Sequence, residues 1–178
     1  MNKKITFALL MFFSASVAQA QESSPAGFYG FVTAGPTTFN YTTGVSIETN
    51  GYQLGLGYEF NESTAVEVSY GSLFNFGISN GSSSENSELT LGTFSGVFRI
   101  PGEKLTPYVK GGVASLNSSY QHSTYGTYKA SASTWIYGAG VELNLDKRTA
   151  VRLEYVTTIK QTGYTDGNVV QIGIMSRF

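Results

Sequence analysis

Four carboxylates and five cations sit at strand-like positions that alternate with large apolar residues: Glu59, Glu67, Glu142 and Glu154 against Arg99, Lys110, Arg152, Lys160 and Arg177. Charges in that pattern can satisfy one another as buried ion pairs, or they can line a polar path for ions. Catalysis by an acid–base pair or an activated nucleophile asks for a histidine working with a hydroxyl or carboxylate. The chain has one histidine, His122, in a Ser/Thr-rich stretch and followed directly by Ser123. A solvated loop histidine accounts for it. Cysteine is absent, so neither a disulfide framework nor a thiolate metal site has ligands. Asp166-Gly167 reads as a turn signal rather than a calcium loop, and Gly111-Gly112 lacks a phosphate-loop context. The expectation is a protein that is not an enzyme and carries no cofactor or metal.

The charges gain meaning from the segments that hold them. Side chains in a strand point to opposite faces with a period of two. Tyr52, Leu54, Leu56, Tyr58 and Phe60 oppose Gln53, Gly55, Gly57 and Glu59; Val66, Val68 and Tyr70 oppose Glu67, Ser69 and Gly71. Trp135, Tyr137, Ala139, Val141, Leu143 and Leu145 oppose Gly138, Gly140, Glu142 and Asn144. Val151, Leu153, Tyr155 and Ile159 oppose Arg152, Glu154, Thr158 and Lys160; Val170, Ile172, Ile174 and Phe178 oppose Gln171, Gly173 and Arg177. Three more strands are predicted at Gly27–Gly35, Glu88–Ile100 and Leu105–Leu116. The first has aromatics on both faces and no assignable parity. In the second, Phe94, Phe98 and Ile100 share a face opposite Arg99. In the third, Lys110 must face away from lipid, which turns Val109 and Val113 outward.

Tight turns at Asn61–Thr64, Pro101–Lys104 and Asp146–Arg148 alternate with longer polar connections at Pro36–Thr49, Ser72–Ser87, Asn117–Ser131 and Gln161–Gly167. The architecture this predicts is all-β: an eight-stranded antiparallel up-and-down transmembrane barrel with periplasmic turns and long outer loops. A soluble barrel with its greasy face inward would share the alternation. Three features favour lipid outside. The glycines lie on the polar face, where small residues relieve crowding in a narrow barrel. The aromatics Tyr52, Tyr58, Phe60, Tyr70, Phe98, Trp135, Tyr155 and Phe178 are read as membrane-interface residues, most of them near strand ends. A bilayer leaves no backbone edge satisfied, so the first strand must close on the last. The charges then become a lumen network of Glu59, Glu67, Arg99, Lys110, Glu142, Arg152, Glu154 and Arg177, with Glu67–Arg99 and Glu142–Arg152 expected to pair.

Bulk properties agree. Charged residues are 13% and aromatics 14% of the chain, and mean hydropathy is −0.06, as suits strands that are greasy on one side only. Residues 1–20 read as a cleaved signal peptide: Lys3 and Lys4, an apolar run from Ile5 to Phe13, and the small-x-small site Ala18-Gln19-Ala20. The barrel domain would be residues 21–178. Without the two signal lysines, 9 basic residues face 12 acidic ones, a formal charge near −3, which gives no reason to expect nucleic acid as a partner.

Gly27-Phe28-Tyr29-Gly30, Thr106-Pro107-Tyr108 and the terminal Arg177-Phe178 resemble the small outer-membrane barrels of the OmpX/Ail type and the broader outer-membrane β-barrel domain family. The resemblance covers the mature chain by pattern more than by long motifs. It implies residence in the bacterial outer membrane among lipids and lipopolysaccharide, insertion by the outer-membrane assembly machinery, and outer loops that mediate adhesion or host defence. Val170, Ile172, Ile174 and Phe178 match the assembly signal; Ser176 departs from it, since an aromatic is commoner there. Phe74, Phe76 and Ile78 near the second loop, and Tyr120, Tyr125 and Tyr128 in the third, are candidates to anchor an extracellular ligand or to contact lipopolysaccharide. The expected function is structural or surface-interacting through the loops, with a filled lumen; the alternative is a narrow porin-like channel for ions or small solutes.

Overall fold

A computed structural model describes residues 26–40, 46–80, 83–122, 126–159 and 166–178. The signal-peptide reading, Lys160 and Tyr125 lie outside these residues. Among those described, the chain forms eight strands: β1 (Gly27–Asn40), β2 (Ser46–Glu59), β3 (Thr64–Asn80), β4 (Ser83–Arg99), β5 (Leu105–His122), β6 (Gly126–Asn144), β7 (Thr149–Thr158) and β8 (Asp166–Arg177). Each pairs antiparallel with the next, and β8 returns to β1, closing the barrel. Tyr29 pairs with Arg177, and the Phe178 N–H donates to the Phe28 carbonyl at 2.9 Å, so the seam is laddered to its last residue.

Apolar side chains cover the outside. Leu54, Leu56, Val68, Phe94, Val109 and Leu153 are all exposed, with Trp135 at 58% and Ile172 at 61%. Their strand neighbours Gln53, Glu67, Ser69, Ser95, Arg99, Lys110, Arg152, Glu154 and Gln171 are buried in the lumen. For a chain in water this distribution would be inverted; in lipid it is the stable one. The first strand resolves in favour of large residues inside: Phe28 faces out while Tyr29, Phe31 and Thr33 face in.

Room for those rings comes from the neighbouring strand. Tyr29 pairs with Gly57 and Phe31 with Gly55. A Cβ built on Gly57 would overlap the Tyr29 ring, and one on Gly55 the Phe31 ring. Across the barrel, Gly140 leaves the same space for Tyr108. Large and small side chains alternate around a tube too narrow for two bulky residues at one height.

The long outer loops expected from composition are mostly ladder, and this corrects the reading of the sequence. β1 and β2 stay paired to Asn40 and Ser46, β3 and β4 to Asn80 and Ser83, β5 and β6 to His122 and Gly126. Ser-, Thr- and Asn-rich segments pair well when both faces are wet, because no apolar pattern is needed there. His122 therefore ends β5 instead of lying in a loop, and Phe74, Phe76 and Ile78 belong to β3; their side chains lie outside the described set. With 19 residues at about 3.3 Å each and a tilt near 40°, β6 rises roughly 48 Å, against an apolar band about 25 Å tall. With 10 residues, β7 rises only about 25 Å by the same measure. The barrel wall is thus uneven, and β3–β6 project beyond the membrane.

The turns at the opposite end are tied by side chains. Asn61 Oδ1 accepts the Ser63 and Thr64 N–H groups at 2.9 Å. Asp146 Oδ1 accepts those of Arg148 and Thr149 at 2.7 and 2.8 Å. These backbone donors hold the Asp146 carboxyl below its ordinary value. A depressed carboxylate contributes stability that is present above its unfolded value and is lost as pH falls through the folded one. Asp146→Ala should therefore lower stability in detergent at neutral and alkaline pH and flatten its decline on the acid side, so that variant and parent converge at low pH. Gly57→Val should cost about 1–3 kcal/mol through overpacking against Tyr29, whereas Leu56→Val on the lipid face should move the urea midpoint far less.

Candidate functional site

The candidate site is the lumen, and it is built in three layers. Nearest the turns, all eight residues of the charge network come together. Glu67, on β3, and Glu142, on β6, lie at its centre, fully or almost fully buried. Arg152 Nη2 reaches Glu67 Oε1 at 2.5 Å and Glu142 Oε1 at 3.0 Å. Arg99 Nε reaches Glu142 Oε1 at 3.2 Å, with Glu59 at 3.4 Å and Glu67 at 3.9 Å from its other nitrogens. Arg177 bridges Glu59 at 3.1 Å and Glu142 at 3.2 Å. Lys110 Nζ donates to Glu154 at 2.7 Å and approaches Glu67 at 3.9 Å. Of the two expected pairs, Glu142–Arg152 is direct and Glu67–Arg99 is the longer contact. The layer holds four carboxylates and four cations, so it is neutral as a unit.

Aromatic residues complete this layer. The Tyr29 hydroxyl donates to Glu67 Oε1 at 2.7 Å and accepts from Arg99 Nη2 at 2.9 Å. Tyr108 donates to Glu154 Oε2 at 2.7 Å. The Arg152 guanidinium lies 4.8 Å from the ring centres of both Phe31 and Tyr108, and that of Arg99 lies 5.0 Å from Tyr29. Stacking on ring faces suits guanidinium, which is planar and weakly hydrated, better than ammonium. Tyr108 was legible in the sequence, since it shares parity with Lys110. Tyr29 and Phe31 were not assignable from β1 alone; the glycines at 55 and 57, large residues' complements on the adjoining strand, were the available signal.

Above the charges lies a belt of hydroxyls and amides. Thr33 donates to Gln171 Oε1 at 2.7 Å, Ser69 donates to Gln53 at 3.1 Å, and the Ser69 and Thr93 hydroxyls are 2.6 Å apart. The third layer, toward the outer end, is apolar: Leu73, Leu91, Ala114, Ile136 and Val169, with Leu89, Leu116 and Val156 packed against them. This corrects the picture of a uniformly polar interior. A bulge between Ser72 and Phe74 takes Leu73 out of the β3–β4 register within this layer. The cavity between the second and third layers, bounded by Gln53, Thr93, Lys110 and the leucines, is only about 20 Å³, near the minimum for one water.

Elsewhere, the named interface aromatics line the outer surface: Tyr52, Phe60, Tyr70, Phe98, Trp135, Tyr155 and Phe178 are exposed and Tyr58 is half-buried. Phe28, Tyr58 and Phe60 form edge-on contacts at 4.9 and 5.2 Å near the turn end. Val170, Ile172, Ile174 and Phe178 form an exposed apolar row on β8. Among the described residues no cluster of three or more metal-ligating side chains occurs.

Removing one partner from a buried ionic network leaves the others uncompensated. Glu142→Ala takes one carboxylate from each of Arg99, Arg152 and Arg177, leaves four cations to three carboxylates, and should cost about 3–5 kcal/mol, read as a lowered denaturant midpoint. Glu62→Ala, on an exposed turn, serves as the comparison and should have almost no effect.

Residues 5–178 match the family of the outer membrane protein beta-barrel domain. The fold is similar to that of three solved barrels. For Ail of Yersinia pestis, solved in complex with the heparin analogue sucrose octasulfate, the identity is 20% and the TM-score 0.67, over 87% of this chain and all of Ail. For Neisserial surface protein A the values are 14% and 0.72, over 88% and 100%. For the N-terminal barrel of Pseudomonas aeruginosa OprF they are 14% and 0.60, over 86% and 99%. No curated protein matches by sequence. With its lipid-facing exterior, laddered seam and near-complete family match, the chain belongs to the outer membrane protein beta-barrel domain family and resides in the bacterial outer membrane.

Proposed function

We propose that this barrel is a non-catalytic surface protein: a sealed membrane anchor that carries the projecting part of β3–β6 outward to bind an extracellular partner and contribute to envelope integrity. The observation that carries the reading is the pairing of a filled lumen with an uneven wall. Three packed layers leave little to conduct through, while the longest strands, β3–β6, extend past the apolar band. The outward ends of β5 and β6 are exposed, with Tyr128 at 63% and polar neighbours Asn117, Gln121, Thr127 and Ser131. Tyrosines on a Ser/Asn-rich background supply contact area at low entropic cost.

The partner class differs from a sulfated polymer. Polyanions are held by clustered Lys and Arg. Residues 115–134 carry Lys129 as their one Lys or Arg, and residues 73–91 carry Glu85 and Glu88 with no Lys or Arg. A partner of low charge, met by hydroxyls and rings, fits this surface better. The apolar row Val170, Ile172, Ile174 and Phe178 serves as the assembly signal in this reading, and outer-membrane lipid and lipopolysaccharide surround the wall.

Replacing residues 117–131 by a two-residue Asn-Gly turn should abolish adhesion of expressing cells while leaving the barrel folded. Unchanged adhesion would remove the surface-binding reading. Purified protein in planar bilayers should show no steady single-channel current; sustained currents would favour the narrow-channel alternative.

A further inference from the structure

We infer that the barrier to ions is the apolar layer of Leu73, Leu91, Ala114, Ile136 and Val169, and that the salt-bridged layer beneath it is not the seal. The inference deepens the sealed-barrel reading and rests on it. The two layers differ in what they offer a passing ion. The charged layer is dense in groups that can replace hydration. Within it and the belt above, Arg152 Nε and Nη1, Ser95 Oγ and Gln171 Nε2 make no hydrogen bond to another protein atom among the described residues. An ion or water arriving there meets spare donors and acceptors, and exchange of one polar partner for another is cheap compared with having none.

The apolar layer has almost nothing to exchange: at its height the Thr37 hydroxyl, in register with Val169, is the one buried side-chain polar atom without a hydrogen bond among the described residues. Its five core side chains are at most 5% exposed and present only hydrocarbon across the lumen. An ion entering it must shed its water without replacement, which is how hydrophobic constrictions block conduction by dewetting. Position reinforces the point. Leu91 lies four residues before Ser95 on β4, Ile136 six before Glu142 on β6, and Val169 two before Gln171 on β8. The apolar residues therefore stand on the outer side of every polar group of the network. Solutes from outside meet hydrocarbon before they meet charge.

The test separates polarity from bulk. Leu91→Ser with Ile136→Ser and Leu91→Ala with Ile136→Ala remove similar volume, but only the first pair lines the constriction with hydroxyls. In planar bilayers with concentrated KCl, the serine pair should raise the frequency of open events at least about tenfold over the parent, and the alanine pair should stay near parent level. Lys110→Met with Glu154→Gln, which neutralises one ion pair in the lower layer, should also stay near parent level. Folding is checked by β-sheet circular dichroism and heat-modifiable gel mobility. If the serine pair does not fold, Leu91→Thr with Ile136→Thr retains strand propensity and carries the same expectation. Silent serine and threonine pairs would overturn the inference. So would alanine currents equal to those of serine, which would make the block steric, or currents from the Lys110/Glu154 variant alone, which would make it electrostatic. Steady current from the parent protein would instead defeat the sealed-barrel reading itself.

Discussion

In the hydrocarbon of a bilayer no water is available to a backbone N–H or carbonyl, and each unsatisfied group costs several kcal/mol. That constraint lies behind the rest of this molecule. It requires every strand to have two neighbours at membrane depth, which is why β8 pairs with β1 and why the final N–H, that of Phe178, is already spoken for by Phe28. Closing on eight strands then sets the bore, and a narrow bore leaves side chains to fill it. The glycines at 55, 57 and 140 follow from that, as the empty places into which Phe31, Tyr29 and Tyr108 fit.

A filled lumen creates its own electrostatic problem. Charges enclosed by a lipid-facing wall cannot be left alone, and the cluster answers with balance and multiplicity. Glu142 serves three arginines, and Arg152 is shared between Glu67 and Glu142 while lying against two rings. A buried network of this kind is weak evidence for net stability, since desolvation offsets much of the attraction. Its partners come from β2 through β8, so it holds the strands in one register around the circumference. The apolar layer above does a different job: it presents hydrocarbon to the lumen where the charged layer presents donors and acceptors.

Much of this was legible from alternation. The parity of β2, β3, β6, β7 and β8 can be read residue by residue, because lipid selects one face and the lumen the other. Lys110 alone orients β5, since a cation on the lipid face is costly. β1 resisted because Phe28, Tyr29 and Phe31 are aromatic on both faces; only the glycines paired with them decide which rings go in. The projecting hairpins resisted for the opposite reason. With water on both sides, residues such as Asn117 to His122 and Gly126 to Ser131 have no face to select, and their composition reads as loop even though the backbone pairs.

What the chain determined by itself is the sidedness of its strands, the positions of its tight turns and the charges available to its interior, because each depends on residue type and a period of two. What only the tertiary structure decided is which charges meet, that leucines and Ile136 gather into a separate layer, and how far the hairpins stay paired. Those depend on the stagger between neighbouring strands, which sets the height of every side chain in the tube. Stagger belongs to the closed barrel as a whole, and no single strand encodes it.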